Sequence, residues 1–306
     1  MSFKIVFMGT PEFSVPILER LHNSEFKIIQ TYTNPPEKKF RGKKINKTPI
    51  HQISTSLGID VRHPISLNTK DELNFFKKLK PDIVIVAAYG KIIPKEFLNI
   101  KDLIFLNIHT SLLPKWRGAA PIQRSIMNMD KVTGISFMKV EDKLDSGPIM
   151  QQLKIEINKD TTYDYLRKEL SKLASENILN CIKKIKNGEA KFIEQNHKIA
   201  SYAKKILKTE SKIDWKDSSE KIVAKINAFN PSPCAWIKYK NHRYKIWKAK
   251  SVKKKGRIGE VLDSNLLIGC GKDSVQILEI QKEGKSKMLT DAFVRGNKFE
   301  IGSNLE

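Results

Sequence analysis

The sequence LIFLNIHTSLLPKWRG, residues 103–118, begins as a continuous apolar run and continues as a polar loop. A run in which apolar residues do not alternate with polar ones is typical of a strand buried on both faces of a sheet. Similar runs occur earlier in the chain, and amphipathic segments separate them. This alternation predicts right-handed crossovers and a parallel sheet. The predicted strands cover residues 4–8, 27–32, 83–87 and 103–108, and the predicted helices include residues 15–21, 50–57 and 71–79.

The C-terminal part of the chain has a different pattern. Apolar residues at helical spacing predict a long helix over residues 162–187, which Asn187-Gly188 ends. An irregular polar stretch follows, and after it come short strand-like runs broken by turn residues, which predict a small antiparallel barrel. These runs cover residues 235–239, 244–248, 259–262, 266–270 and 275–281. We therefore expect an N-terminal α/β domain at residues 1–189, a linker at 190–208 and a C-terminal β-barrel domain at 209–306.

The composition argues against several classes of protein. The chain has 306 residues, of which 40% are hydrophobic, and no apolar run approaches the roughly 20 residues that a membrane span needs. The apolar run at residues 5–8 is too short for the core of a signal peptide. The three cysteines are widely scattered, so we expect a cytoplasmic protein without a structural zinc site. A single glycine, Gly9, follows the first strand, and no Walker lysine follows it, which argues against NAD and ATP sites.

The net charge of +23 is the unusual feature of the composition. Lysine and arginine on a surface attract polyanions such as nucleic acids. A lysine-rich composition, as in proteins from AT-rich genomes, would also give a basic solvated surface without any such partner. Residues 201–306 carry 23 basic and 12 acidic side chains, whereas the first 200 residues carry 33 and 21. The greater charge density of the C-terminal third favours a nucleic-acid partner.

Two polar side chains stand at the end of the predicted strand 103–108. Asn107 and His109 are two residues apart, so both face the same side of the strand. Ligands of parallel sheets bind at this carboxyl edge. An amide can donate to an oxyanion, and an imidazole can donate when protonated or accept a proton. A single histidine is more often structural, so the interpretation depends on the Pro-, Trp-, Arg- and Gly-containing loop at residues 111–118.

Asp145 lies in a sharp turn, LDSGP at residues 144–148, between strand-like runs at 135–140 and 149–153. An aspartate at this place can simply stabilise the turn by hydrogen bonds to its own backbone. If its carboxylate lies beside His109 instead, it favours the protonated imidazole. The pair could then stabilise a tetrahedral intermediate and take the proton from an attacking amine. The residues by themselves leave both interpretations open.

A basic loop, residues 34–48, follows the second predicted strand. It should therefore project over the same carboxyl edge as Asn107 and His109. Such a loop is either an exposed insertion or a site for a phosphate backbone. The planar guanidinium of Arg41 suits a phosphate or a base edge, and Lys43 and Lys44 add charge beside it.

Together, these motifs resemble the formyltransferase family over essentially the whole chain. That family carries Asn-x-His, then Ser-Leu-Leu-Pro, then an aromatic residue with Arg-Gly, and further on Asp-x-Gly. The matching residues are Asn107, His109, 111–114, 116–118 and 145–147. Residues 9–13, 41–44 with Pro49, and 226–231 with Trp236 resemble the tRNA-dependent branch of the family. The chain departs from the common pattern at Lys115, at Trp116 and over residues 37–40.

The resemblance implies a Rossmann-like parallel-sheet domain followed by an OB-like β-barrel domain that binds tRNA. It implies 10-formyltetrahydrofolate as formyl donor, tetrahydrofolate as product, and methionine on initiator tRNA as acceptor, for translation initiation. No metal and no membrane partner are expected, and we expect a monomer. The residues implied are Asn107, His109 and Asp145 for catalysis, Ser111, Leu112, Leu113 and Pro114 for folate, and Arg41, Lys43 and Lys44 for tRNA.

Three other functions share some of these features. A purine-pathway formyltransferase would use the same Asn, His and Asp, but it needs neither the basic loop nor a C-terminal barrel. A sugar-nucleotide formyltransferase shares the pocket and a C-terminal domain, but the net charge would be unexplained. An RNA-binding module with a vestigial pocket would not need all three polar groups with the loop between them.

Overall fold

The computed structural model describes residues 2–38 and 45–305. These residues form two compact units. The first consists of Met1–Ala119, Thr133–Ile155 and Arg167–Ala203, and the second consists of Ala120–Val132, Glu156–Leu166 and Lys204–Glu306. Each unit is therefore built from separate stretches of the chain. The boundaries expected at residues 189 and 209 stay a prediction.

The strands of the first half follow the apolar runs of the sequence. In chain order they are β1 (Lys4–Gly9), β2 (Lys27–Tyr32), β3 (Glu37–Lys38), β4 (Ile45–Asn46), β5 (Val61–Arg62), β6 (Ile83–Ala87), β7 (Ile104–His109), β8 (Arg117–Gly118), β9 (Val132–Lys139), β10 (Ile149–Glu156) and β11 (Tyr202–Ala203). The four predicted strands are thus confirmed, with ends that differ by at most one residue.

Seven of these strands form one sheet, in the order β10, β9, β7, β6, β1, β2 and β5. Pairing is parallel from β7 through β6, β1 and β2 to β5. Strand β9 lies on the other side of β7 and runs antiparallel to it. The predicted, mostly parallel α/β sheet is therefore confirmed. It brings the ends of β1, β2, β6 and β7 to one edge, and β7 ends there at His109.

Helices alternate with the strands of this half of the chain, and polar side chains cap the starts of two of them. Thr48 accepts a hydrogen bond from the His51 amide at 3.1 Å, and Thr69 accepts one from the Glu72 amide at 3.2 Å. Each cap satisfies a backbone donor that has no partner inside the helix. The helices of this half are α1 (Val15–His22), α2 (Pro49–Ser56), α3 (Lys70–Leu79), α4 (Lys95–Leu98), α5 (Pro121–Met127) and α6 (Tyr163–Lys186).

The second unit contains the antiparallel strands of the C-terminal part. After α7 (Ser219–Phe229), the chain forms β12 (Ala235–Tyr239), β13 (His242–Val252), β14 (Leu267–Gly269), β15 (Ser274–Lys282), β16 (Met288–Leu289) and α8 (Thr290–Gly296). The sheet order is β12, β13, β15 and β14, with β16 also paired to β15, and these strands form a half-barrel. The strand predicted at residues 259–262 is reduced to two isolated bridges, at Glu260 and Val261. Gly259 has a φ of +78°, a turn conformation that interrupts an extended strand there.

Gly134 in β9 lies where the sheet leaves no space for a side chain. A Cβ atom at this position would stand 1.9 Å from the Leu153 carbonyl oxygen and 2.7 Å from Leu112 Cδ2. Since the nearer atom belongs to the backbone of the neighbouring strand, relief requires that the sheet itself shift. We expect Gly134→Ala to lower the free energy of unfolding by about 1–3 kcal/mol, measured by urea denaturation. Gly296→Ala is the control, because a Cβ there meets no atom within 4 Å. Equal stability of the two variants would contradict this interpretation.

Candidate active site

The end of β7 places two polar side chains at the carboxyl edge of the sheet. Asn107 and His109 are alternate residues of this strand, so they lie on the same face. The Asn107 side chain is half-buried, and no hydrogen bond to it is found within the described ranges. The His109 side chain is only 6% exposed. This edge therefore presents one unoccupied amide beside a nearly buried imidazole.

Both nitrogens of the His109 ring have neighbours that fix its orientation. Nε2 lies 2.9 Å from the Trp116 carbonyl oxygen. Because a carbonyl only accepts, Nε2 carries a proton and donates it there. Nδ1 lies 3.6 Å from Asp145 Oδ2, a charge contact longer than a direct hydrogen bond. Nδ1 is consequently the ring nitrogen that remains for proton transfer.

The Asp145 carboxylate is held beside His109 by the backbone of the intervening loop. The Gly118 amide donates a hydrogen bond to Asp145 Oδ2 at 2.8 Å. The carboxylate is 16% exposed, and the residue has a φ of +46° in its turn. A Cβ at Gly147 would stand 2.1 Å from the Lys139 carbonyl oxygen, so the turn packs directly against β9. The structure thus brings Asp145 to His109 across 35 intervening residues.

Hydrogen bonds fix the loop at residues 111–114 and explain its composition. Ser111 Oγ donates to the Lys115 carbonyl oxygen at 2.6 Å, and Ser136 Oγ donates to the Ser111 carbonyl oxygen at 2.7 Å. The side chains of Ser111 and Leu113 are buried, whereas those of Leu112 and Pro114 are half-buried. Ser111 therefore serves the loop itself, and the partly exposed surface of this stretch belongs to Leu112 and Pro114.

Several residues that support this region were not anticipated from the sequence. Gln152 donates to the Leu113 carbonyl oxygen at 2.9 Å and to Ser136 Oγ at 2.8 Å. Ser201 Oγ accepts from the Trp116 amide at 3.0 Å, and the short strand β11 pairs with β8. Gln195 contacts the turn that carries Asp145. No local sequence pattern at any of these three positions indicates that the residue supports the site.

A cleft of about 420 Å³ opens beside the Asp145 turn. This volume is in the range of small-molecule sites. The lining is mostly polar and charged, with Leu98 and Val140 as its apolar members. The lining residues are Leu98, Asn99, Val140, Glu141, Asp142, Lys143, Ser146 and His197.

The predicted tRNA residues Arg41, Lys43 and Lys44 lie outside the described residues. The stretches that flank them are described: β3 and β4 pair antiparallel, with Glu37 opposite Asn46. Thr33 and Thr48 hydroxyls lie 2.7 Å apart just inside this pair. The two ends of the basic loop, Lys38 and Ile45, are therefore neighbours, and both follow the carboxyl end of β2 in the chain.

Burial keeps the three cysteine thiols protonated. All three cysteines are buried, and burial raises the pKa of Cys181 and Cys270 to about 12 and that of Cys234 to about 11. Within residues 2–38 and 45–305, no group of three or more His, Cys, Asp or Glu could hold a metal ion. In the same part of the chain, no helix is long and apolar enough to cross a membrane.

Comparison with known proteins identifies the family of the chain. Residues 3–182 match the family described as formyl transferase, and residues 205–298 match the formyl transferase C-terminal domain. The chain is 48% identical over 307 residues to the methionyl-tRNA formyltransferase of Pelagibacter ubique, covering 100% of this chain and 99% of that one. It is 38% identical over 311 residues to the methionyl-tRNA formyltransferase of Chelativorans sp., covering all of both chains.

Solved structures share the fold at lower sequence identity. Methionyl-tRNA formyltransferase from Clostridium thermocellum has a TM-score of 0.58 at 20% identity, covering 83% of this chain and 95% of that one. The sugar 3N-formyl transferase WlaRD has a TM-score of 0.68 at 21% identity, covering 94% and 100%. HypX from Aquifex aeolicus, in complex with tetrahydrofolic acid, has a TM-score of 0.63 at 17% identity, and the chain spans about half of its length. Because its relatives match over their full length and both formyl transferase domains are present, the chain belongs to the methionyl-tRNA formyltransferase family and is a formyl-transferring enzyme.

Proposed function

We propose that the enzyme transfers the formyl group of 10-formyltetrahydrofolate to the α-amino group of methionine on initiator methionyl-tRNA. The observation that carries the proposal is the convergence of Asn107, His109 and Asp145 at one sheet edge, next to a cleft of ligand size. Full-length similarity to methionyl-tRNA formyltransferases supports this choice of acceptor. Structural similarity to HypX, crystallised with tetrahydrofolic acid, supports a folate donor.

The reaction needs no nucleophile from the protein, because the acceptor amine is itself one. Its nitrogen attacks the formyl carbon and forms the new C–N bond, and the bond from that carbon to N10 of the folate then breaks. The amine loses a proton, and N10 gains one. The protein therefore has to stabilise the tetrahedral oxyanion and to move one proton.

We assign these two tasks to different side chains. The Asn107 amide has no partner in the described structure, so it is free to donate to the oxyanion. His109 adds positive charge when protonated, and its Nδ1 faces the Asp145 carboxylate at 3.6 Å. Asp145 orients the ring and helps to relay the amine proton. Because Nε2 is hydrogen-bonded to the Trp116 carbonyl oxygen, the proton is relayed through Nδ1.

The folate would bind along the cleft and the loop at residues 111–114. Leu112 and Pro114 offer partly exposed apolar surface, whereas Ser111 and Leu113 shape the loop from within. Val140 and Asn99 in the cleft could contact a flat heterocycle by packing and hydrogen bonding. In this assignment the folate is a substrate that is consumed at each turnover. We further propose that the enzyme is a monomer and acts in the cytoplasm.

The test is formyl transfer from 10-formyltetrahydrofolate to charged initiator tRNA, followed by the appearance of formylmethionine on the tRNA. Glycinamide ribonucleotide and an amino-sugar nucleotide serve as control acceptors. We expect transfer to the tRNA and none to either control. Preferential transfer to one of the control acceptors would show that the proposed acceptor is wrong.

Arg41→Ala is expected to reduce kcat/KM for methionyl-tRNA by about 5- to 100-fold, the cost of losing a contact to phosphate or a base edge. Folate binding should not change. Repeating the assay at raised salt should narrow the difference, because salt screens such contacts. Arg20→Ala is the matched control, since Arg20 is exposed in the last turn of α1, away from the carboxyl edge. Equal activity of Arg41→Ala and the unaltered enzyme at low salt would contradict the role of the loop.

A further inference from the structure

We propose that Gln195 is a positioning residue for Asp145, acting through the backbone of the turn that carries the carboxylate. Its side-chain amide donates two hydrogen bonds, to the Asp145 carbonyl oxygen at 2.9 Å and to the Gly147 carbonyl oxygen at 2.8 Å. Gln195 is 5% exposed, so both bonds are shielded from water. The inference rests on the role of Asp145 proposed above.

The turn at Asp145 has a sparsely populated backbone conformation. Asp145 has a φ of +46°, in the left-handed region that few residues other than glycine, asparagine and aspartate adopt. The bonds to the carbonyls on either side of Ser146 fix the turn in this form. Without them the turn can relax, and the carboxylate would move relative to His109 Nδ1, from which it now stands 3.6 Å away.

Arg117 holds the Gln195 amide in the orientation that makes this possible. Its Nε and Nη2 donate to Gln195 Oε1 at 3.1 Å and 2.7 Å. The amide oxygen is thereby committed to Arg117, so the NH2 group has to face the turn. Arg117 is 4% exposed, and its Nη2 also lies 2.9 Å from His197 Nδ1.

The buried guanidinium depends on Gln195 in return. Among the described residues, no carboxylate lies within ion-pair distance of Arg117, so neutral acceptors compensate for its burial. The two neighbours of Arg117 complete the arrangement: the Trp116 carbonyl oxygen accepts from His109, and the Gly118 amide donates to Asp145. Residues 116–118 therefore orient both reacting side chains, and Gln195 links this segment to the turn.

Gln195→Ala should lower kcat about 10- to 100-fold, since a displacement of about 1 Å in a catalytic group can cost this much. The KM for the folate should change much less than kcat, because the Gln195 side chain neither lines the cleft nor contacts the loop at residues 111–114. Rates are measured as single turnovers with charged initiator tRNA, beside binding of 5-formyltetrahydrofolate and the thermal unfolding midpoint. Loss of folate binding together with an unchanged single-turnover rate would overturn the inference.

A double-mutant cycle with Asp145→Asn separates positioning from general stabilisation. If Gln195 acts through the Asp145 carboxylate, Gln195→Ala should cause little further loss once that charge is gone. A residue that only stabilises the fold would cause the same loss in both backgrounds, and that result would overturn the proposal. Gln195→Glu provides a second arm for the cycle, because it keeps the size and the acceptor for Arg117 but cannot donate to the carbonyls. Turnover of Gln195→Glu equal to that of the unaltered enzyme would also overturn it.

Gln152 is the matched control for the cycle. It is another glutamine whose amide donates two hydrogen bonds, at 2.9 Å and 2.8 Å, but to the Leu113 carbonyl oxygen and Ser136. We expect Gln152→Ala to lower the free energy of unfolding about as much as Gln195→Ala does. Its effect on turnover should be the same in the Asp145→Asn background as in the unaltered enzyme. Full activity of Asp145→Asn alone would refute the proposed site. A large loss in Asp145→Asn with none in Gln195→Ala would refute only the inference about Gln195.

Discussion

Replacing Asn107 with alanine is expected to lower kcat about 100- to 1,000-fold, the usual cost of removing one preoriented oxyanion donor. The amide has no hydrogen bond to the described residues, so its removal breaks no hydrogen bond among them. Affinity for 5-formyltetrahydrofolate and the thermal unfolding midpoint should both stay close to those of the unaltered enzyme. The measurement is single-turnover formyl transfer to charged initiator tRNA.

Asn107→Asp separates the effect of losing the amide donor from the effect of losing side-chain volume. The carboxylate has the shape of the amide but cannot donate, and its charge would repel the oxyanion. We expect a loss at least as large as that of Asn107→Ala. Full turnover in either variant would remove Asn107 from the mechanism.

The second large effect is expected for Asp145→Asn, about 100- to 10,000-fold in kcat, the range for losing proton-transfer assistance. An asparagine oxygen can still accept the hydrogen bond that the Gly118 amide now donates at 2.8 Å. The substitution therefore removes the charge beside His109 and largely keeps the geometry of the turn. Steady-state and single-turnover rates, measured with folate affinity, separate a chemical defect from a binding defect.

Asp82→Asn is the matched control for this prediction. Asp82 is an exposed aspartate whose Oδ2 accepts from the Lys4 amide at 2.6 Å, at the amino end of β1. It carries the same charge at the opposite edge of the sheet, so its loss should change kcat less than about twofold. A similar decrease in both variants would indicate a general effect of charge instead of a specific role for Asp145.

The parallel sheet could be predicted because its strands coincide with continuous apolar runs in the sequence. Residues 27–32 and 83–87 have the same bounds in the sequence-based prediction and in the structure, since turn residues or charged helices flank them. The position of Asn107 and His109 follows from the same pattern, because the strand period of two puts them on one face. The direction of β9 does not follow from an apolar run, since a strand can pair in either direction.

Contacts between distant parts of the chain were harder to predict. The turn at residues 144–148 gives no local sign of whether Asp145 faces His109 or solvent, and the resemblance to a family suggested the answer. The contacts of Gln195 and Ser201 had no signal at all, because they involve one amide, one hydroxyl and main-chain atoms in a polar stretch. Hydrogen bonds to a backbone require no complementary residue type in the partner, so they leave no pattern in a single sequence.

The antiparallel strands β3 and β4 lie on either side of the basic segment and pair with each other through their main chains. Backbone pairing of this kind is indifferent to which side chains the inserted residues carry. The insertion can therefore change its length and composition over generations while β7 and the Asp145 turn stay as they are. If the basic segment recognises the acceptor, as proposed above, acceptor recognition and formyl transfer can evolve as separate traits.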